Sequence, residues 1–241
     1  MVQRIVDAIA PRPGQLIVEI GPGQAALTGP LADSGAELQV VEIDRDLAGT
    51  LERTFAAREN VRLRVGDALQ IDFGEWSEGR RFRLVGNLPY NISTPLLFHL
   101  LKWSDRIEDM HFMLQQEVVE RMAAGPGSKA RGRLSVMCQY YCDITTLFTV
   151  PPEAFEPAPR VQSAIVRLTP HARPPVRIDD MALFQKLLTQ AFSMRRKTLR
   201  NCLRGLVDAD GIEAAGIDPG LRPEALDLQQ FADLARRAAS E

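Results

Sequence analysis

The sequence predicts an α/β protein, a parallel sheet layered with helices and followed by a small helical domain. Three observations carry this reading. Short apolar or β-branched runs alternate with helical stretches through the first half of the chain. A Gly-Pro-Gly turn follows the first of those runs. The β-signal stops at His171–Val176, a linker with Pro174-Pro175, and beyond it only helical periodicity is left.

Residues 3–10 form a short amphipathic helix, stopped by Pro11 and Pro13. Leu16–Ile20 is the first strand, followed by Gly21-Pro22-Gly23 and a helix from about Ala25. Leu38–Asp44 is the second strand and Leu47–Ala57 the second helix. Val61–Val65, the third strand, closes on Gly66-Asp67-Ala68. Phe82–Val85 is the fourth and runs into Gly86-Asn87-Leu88-Pro89-Tyr90, after which Ser93-Thr94-Pro95 opens a helix. Met110–Leu114 is the fifth, with a helix from Glu117. Ala124–Lys129 reads as a mobile, partly basic loop and Leu134–Tyr141 as helix. Ile144–Val150 and Ala164–Leu168 are late strands, separated by a proline-stiffened path over residues 151–159. Met181–Phe192, Lys197–Leu206 and Leu228–Ala239 are helical. The expected domains are residues 1–172 and 173–241.

Composition narrows the function. The 241 residues are 45% hydrophobic and carry a net charge of −2, so contact with a polyanion has to use a local basic patch. No apolar run approaches the roughly 20 residues of a membrane span. The N-terminus has no signal-peptide pattern, and Cys138, Cys142 and Cys202 read as reduced thiols, so a cytoplasmic protein is expected. His99, His111 and His171 are scattered, and no metal site is expected.

The stretch Glu19 to Leu27 follows a strand and leads into a helix, with glycines that let the backbone approach a ligand. Gly21-x-Gly23-x-x-Ala26 fits the dinucleotide fingerprint loosely, with Glu42 about 20 residues on. A tight ligand-free turn is the alternative for the loop in isolation. Glu42 ends strand two, where a carboxylate accepts hydrogen bonds from a ribose diol. Asp67 ends strand three, where it either accepts from an adenine amino group or simply caps a helix. Together the loop and two acids make an adenosine slot, which suits NAD and S-adenosylmethionine alike.

Strand four decides between them. An exocyclic adenine amine is a poor nucleophile because its lone pair is delocalised into the ring. Acceptors on its two hydrogens pull the nitrogen toward tetrahedral geometry and aim the lone pair at a sulfonium methyl. The Asn87 side-chain oxygen and the Leu88 carbonyl suit this role; Pro89 stiffens the turn, and Tyr90 offers a face for a flipped-out base. Phe155 is a candidate second face, with a core-filling Phe as the alternative.

These motifs resemble those of the ribosomal RNA adenine-N6 dimethyltransferases, most nearly the bacterial small-subunit, kasugamycin-resistance methylase family. The resemblance runs from Glu19-Ile20-Gly21-Pro22-Gly23 through Val41-Glu42-Ile43-Asp44, Gly66-Asp67-Ala68 and Gly86 to Ser93. It continues through Gln115–Val119, Gly132–Val136, the Pro151–Ser163 stretch and Arg195-Arg196-Lys197-Thr198-Leu199-Arg200-Asn201. It implies a class I, Rossmann-like S-adenosylmethionine-dependent methyltransferase with a small C-terminal helical domain. The first domain binds the donor and the second the rRNA. The implied substrate is a pair of adjacent adenosines in the 3′-terminal hairpin of small-subunit (16S) rRNA within an immature 30S particle, each methylated twice, with S-adenosylhomocysteine as co-product. It also places Gly21 and Gly23 at the methionine end, Glu42 on the ribose and Ile43 on the adenine, with Glu19 and Asn87 among the cofactor-binding residues. Asp67 and Ala68 read the adenine edge, Asn87 through Tyr90 form the reactive edge, and Phe155 completes the base sandwich. The family's usual Phe-Gly-Gln-x-Phe-Leu stretch upstream of the first strand is not in this sequence, a departure that predicts weaker cofactor binding.

Arg196, Arg200 and Arg204 fall at i, i+4 and i+8, with Arg195 and Lys197 beside them, and no acid occurs from Met181 through Val207. On one helix face such like charges cost a few tenths of a kcal/mol per pair, which an external polyanion relieves; a solvated face neutralised from elsewhere is the alternative. Lys129, Arg131 and Arg133 are a second expected phosphate contact. A monomer that engages neither DNA nor membrane is expected. The alternatives are a large-subunit dimethyltransferase of the macrolide-resistance type, an NAD-dependent oxidoreductase and a ribosome-assembly factor acting by binding.

Overall fold

The structure, a computed structural model, describes residues 1–89, 91–154, 161–194 and 196–240. Leu16–Ile20 (β1), Glu37–Glu42 (β2), Val61–Val65 (β3), Phe82–Asn87 (β4), Ile107–Gln115 (β5), Cys142–Val150 (β6) and Ser163–Pro170 (β7) make one sheet in the order β3-β2-β1-β4-β5-β7-β6. Strands β1 to β5 are parallel, and β7 is antiparallel to β5. The helices are Val2–Ile9 (α1), Thr28–Asp33 (α2), Arg45–Phe55 (α3), Phe73–Trp76 (α4), Ser93–Leu100 (α5), Gln116–Ala123 (α6), Arg133–Tyr141 (α7), Met181–Ala191 (α8), Leu199–Cys202 (α9), Ala209–Ala214 (α10) and Leu228–Ala238 (α11). No helix among the described residues is long and apolar enough to cross a membrane.

The strand order reverses between β1 and β4, and open α/β sheets bind their ligands outside the carboxyl ends of such a pair. All five residues of β1 are buried, as a central strand covered on both faces requires. Edge strand β3 exposes Arg62 and Arg64 instead. Ile5 and Ile9 of α1 pack with Ile17, Leu31, Leu38, Val40, Val85, Val150 and Ile165 in one apolar cluster. Helix α1 stops at Ala10, which takes a left-handed conformation (φ 47°) ahead of Pro11.

One buried charge ties these layers together. Arg83 of β4 makes a two-point contact with Asp109 of β5 (2.7 and 2.9 Å), and also donates to the carbonyl of Ile9 (2.6 Å) and to Gln15 Oε1 (3.2 Å). His111 Nδ1 lies 3.6 Å from the same carboxylate. Burial works against the Asp109 charge, but His111 and Arg83 outweigh it and hold this carboxyl below its usual range.

Two compact units emerge, Met1–Val119 with Asp143–Pro170, and Glu120–Cys142 with His171–Glu241. The second takes in residues 120–142, which the sequence places in the first domain. Its apolar interior includes Phe184, Leu187, Leu188, Leu199, Leu203, Phe231 and Leu234. The segment cannot be told from a continuing β-α unit by periodicity. Its membership is set by long-range bonds such as Gly127 N–H to the Glu224 carbonyl (2.8 Å), which also holds the loop expected to be mobile.

Several boundaries move for local reasons. Strand β2 ends at Glu42, not Asp44, because the Asp44 side chain caps α3 by accepting from the N–H groups of Asp46 and Leu47. Helix α2 starts at Thr28, not near Ala25, because Ala25 is left-handed (φ 66°). The helix expected over Lys197–Leu206 is confined to Leu199–Cys202. Arg196 is left-handed before it (φ 72°), Gly205 is left-handed after it (φ 79°), and the N–H groups of Leu199 and Arg200 bond to the carbonyls of Leu221 and Pro219.

Replacing Arg83 by Ala strands the Asp109 carboxylate in a half-dry site and is expected to cost about 3–5 kcal/mol. Urea unfolding of the Arg83→Ala variant checks this; a loss below about 1 kcal/mol contradicts it.

Candidate active site

Three left-handed residues alternate after β1: Gly21 (φ 65°), Gly23 (φ 55°) and Ala25 (φ 66°). The left-handed residues thus end at Ala25, directly before the fingerprint position Ala26. Gly21 N–H bonds to the Val41 carbonyl (2.9 Å) and Ala25 N–H to the Pro22 carbonyl (2.9 Å), so the loop turns over the ends of β1 and β2. A Cβ built on Gly23 meets no atom within 4 Å, so the loop offers open space there.

Glu42, buried at the end of β2, accepts from Gly23 N–H on Oε2 (3.3 Å) and from Asp44 N–H on Oε1 (3.0 Å). Each carboxylate oxygen keeps further acceptor capacity, as a ribose diol needs. Ile43, next in the chain, is 67% exposed, an apolar face presented to solvent beside that carboxylate. Asp67 caps the short turn Ala68–Gln70 through Oδ1, which accepts from Leu69 N–H (2.9 Å). The capping alternative is thus realised by one oxygen, and no bond to Oδ2 occurs among the described residues. Ala68 is buried beside it.

Beneath the loop, Glu19 of β1 is 1% exposed and its Oε2 has no hydrogen-bond partner among the described residues. Burial pushes its carboxyl up to about 7; the Thr28 hydroxyl opposes the rise without a well-formed hydrogen bond, and Glu42 adds to it. Thr28 was not singled out from the sequence. Its only sign there is its place just after the glycine loop.

Gly86 explains how the fourth strand reaches the site. It pairs with Ile20 of β1, and a Cβ there would sit 2.5 Å from the Ile20 carbonyl oxygen. Asn87 then ends β4 exposed, and its own carbonyl oxygen lies 3.7 Å from where a Cβ on Gly21 would be. Leu88 is buried, its N–H held by the Met113 carbonyl (3.3 Å), and Pro89 is exposed. The chain thus brings together Glu19, Gly21, Gly23, Glu42, Ile43, Asp67, Ala68, Asn87, Leu88 and Pro89 at the carboxyl edge of four neighbouring strands. Tyr90, Phe155 and Arg195 lie outside the described residues. A carboxylate for a diol, an exposed aliphatic face, room at the glycine turn and a buried acceptor without a donor fit an adenosine-bearing cofactor with a cationic end.

The expected phosphate contacts divide. Lys129 is exposed and Arg133 half-buried. Arg131 is only 5% exposed, and this corrects its expected role: it donates to the carbonyls of Leu226 (3.0 Å) and Ala124 (2.7 Å) and to Gln139 Oε1 (2.9 Å). Its guanidinium is consumed inside its own unit and is a structural tie. Arg196, Lys197, Arg200 and Arg204 are all exposed, without an acidic partner among the described residues. They do not form a stripe on one helix, because Arg196 precedes α9 and Arg204 follows it.

Comparison with known proteins places these features. The ribosomal RNA adenine dimethylase family model matches residues 1–240. The ribosomal RNA small subunit methyltransferase A of Pseudomonas putida is 54% identical over 242 residues, spanning 100% of this chain and 91% of that protein. That of Idiomarina loihiensis is 51% identical over 231 residues, spanning 96% and 80%. Among solved structures, a dimethyladenosine transferase from Plasmodium falciparum matches with a TM-score of 0.82 at 25% identity, covering 97% of this chain and 93% of that one. The 23S rRNA methyltransferase ErmE matches with a TM-score of 0.73 at 25% identity, covering 99% and 96%.

A non-glycine residue held left-handed stores about 1 kcal/mol. Ala25→Gly is therefore expected to raise the stability of the chain by up to about 1 kcal/mol, less the added flexibility of the unfolded chain. Thermal melts with and without S-adenosylhomocysteine measure it; a variant that melts well below the parent contradicts the assignment.

Proposed function

The chain belongs to the ribosomal RNA adenine dimethylase family, and from that membership we propose that it methylates twice the N6 amine of each of two adjacent adenosines in the 3′-terminal hairpin of small-subunit rRNA, within an immature 30S particle. It is an S-adenosylmethionine-dependent methyltransferase. The oxidoreductase reading of the glycine loop falls with this assignment. Curated relatives of about half identity bear the small-subunit name, which favours that substrate over the large-subunit one.

Bound S-adenosylmethionine supplies an electrophilic methyl on a positive sulphur. Glu42 would hold the ribose, Ile43 would lie against the adenine, and Asp67 Oδ2 would accept from its amino group. Gly21 and Gly23 leave room for the methionine end. Asn87 Oδ1 and the Leu88 carbonyl accept the two hydrogens of the target amine and so turn its lone pair toward the methyl. No strong general base is required, since the amine proton becomes acidic once the nitrogen is alkylated; positioning and exclusion of water supply the rate. Tyr90 and Phe155 stack the extruded base. The observation that carries this reading is the position of Asn87, the exposed polar tip of β4 that Gly86 holds against the glycine loop.

Arg196, Lys197, Arg200 and Arg204, with Lys129, Arg133 and Arg195, neutralise rRNA phosphates and position the particle without reading its sequence. The chain acts as a monomer in the cytoplasm.

Asn87→Ala is expected to lower kcat on immature small subunits by about 10²-fold or more while S-adenosylhomocysteine binds within a few-fold of the parent. Mapping of dimethyladenosine with labelled donor reads the first, calorimetry the second. Intact cellular function of that variant would instead favour a binding factor. Arg196→Ala/Arg200→Ala is expected to weaken rRNA binding and reduce the slope of log affinity against log salt by about 1–2. Filter binding across a salt series decides, and an unchanged slope removes these two residues from the interface.

A further inference from the structure

Glu19 and Glu42 sit on neighbouring strands under the same glycine loop, and they are not equivalent. Glu42 receives two backbone N–H donors, from Gly23 and Asp44. Glu19 Oε2 receives none, although the side chain is 1% exposed. The strands on either side place Val40 and Val85 opposite Glu19, and α2 contributes the uncharged Thr28. Among the described residues the only charged group acting on Glu19 is therefore Glu42, another acid, and no cation compensates it. Two neighbouring buried carboxyls do not both ionise cheaply, and the one without donors keeps the proton. Its carboxyl, raised to about 7 by burial and by Glu42, stands at the threshold of ionising at neutral pH.

We infer that Glu19 matches the charge of the slot: neutral while the slot is empty, it releases its proton to solvent when a cationic ligand settles against the Gly21–Gly23 loop. The inference rests on the cofactor reading above. The methyl donor carries a net charge of about +1 at neutral pH and its demethylated product about zero, because the sulfonium is lost on transfer. The donor therefore draws Glu19 into its charged form and gains an ion pair in a dry site, whereas the product gains much less. Glu19 is in this sense a positioning residue that lets the protein prefer donor over spent product, more so as pH rises.

The sign follows from linkage. Below about pH 7 the donor must displace a proton from Glu19 and its affinity drops; above it the carboxylate is already present. Donor affinity is expected to rise about tenfold from pH 6 to pH 8, and product affinity to change much less. Calorimetry of the full chain at pH 7, in buffers of low and high ionisation enthalpy, is expected to show release of about half a proton per S-adenosylmethionine bound and distinctly less per S-adenosylhomocysteine. In Glu19→Gln the buffer dependence disappears and the preference for donor over product at pH 8 falls about tenfold. Infrared difference spectra give an independent readout on the unmodified protein: the protonated-carboxyl band is lost on adding donor. Donor binding with buffer-independent heat, or a carboxyl band that persists, overturns the inference while leaving the cofactor reading intact. If neither ligand binds the unmodified chain, the cofactor reading itself falls and takes the inference with it.

Discussion

The contact on which the active edge depends is the approach of β4 to β1 at Gly86 and Ile20. With a Cβ only 2.5 Å from the Ile20 carbonyl, any other residue at position 86 has to push the strands apart. The glycine lets β1 pair with β4 up to its own last residue, Ile20, so the glycine loop leaving β1 and the Asn-Leu-Pro turn leaving β4 share one edge. The proposed cofactor slot and the proposed base-gripping tip are thereby neighbours through hydrogen-bond register. Methyl transfer needs little more than such proximity, because the reacting groups require orientation and not strong acid or base.

Electrostatics divides along the same lines as the chemistry. The slot is built from acids, Glu19, Glu42 and Asp67, which suits a ligand with a ribose diol, an amino group and a positive sulphur. The basic residues that suit phosphates, Arg196, Lys197, Arg200 and Arg204, stand exposed in the other compact unit without acidic partners among the described residues. A net charge of −2 hides this segregation completely.

The legible part of the site consists of residues at strand ends. Glu42, Asp67 and Asn87 each stand at the end of a short strand-like run, and the end of a run is a local signal. Their positions along the chain were readable before their neighbours were known. Arg131 was misread for the opposite reason. Its partners are the Ala124 carbonyl and Gln139 Oε1, 7 and 8 positions away, and the Leu226 carbonyl, 95 positions away, and nothing in the local pattern marks that they converge on Arg131. The arginine stripe failed differently: spacing at four residues means one face only where the backbone is helical, and left-handed conformations at Arg196 and Gly205 leave a single turn between them.

By itself the sequence determined the alternation of strands and helices, the carboxyl-edge location of the acids and the asparagine, and the family, because each is written in short contiguous motifs whose period or end is local. Only the tertiary structure decided which of two buried glutamates lacks donors, that Asp67 spends one oxygen on a cap, that residues 120–142 belong with the C-terminal helices, and which arginines reach solvent. Those outcomes depend on which distant backbone groups arrive beside a side chain, and chain distance does not encode that.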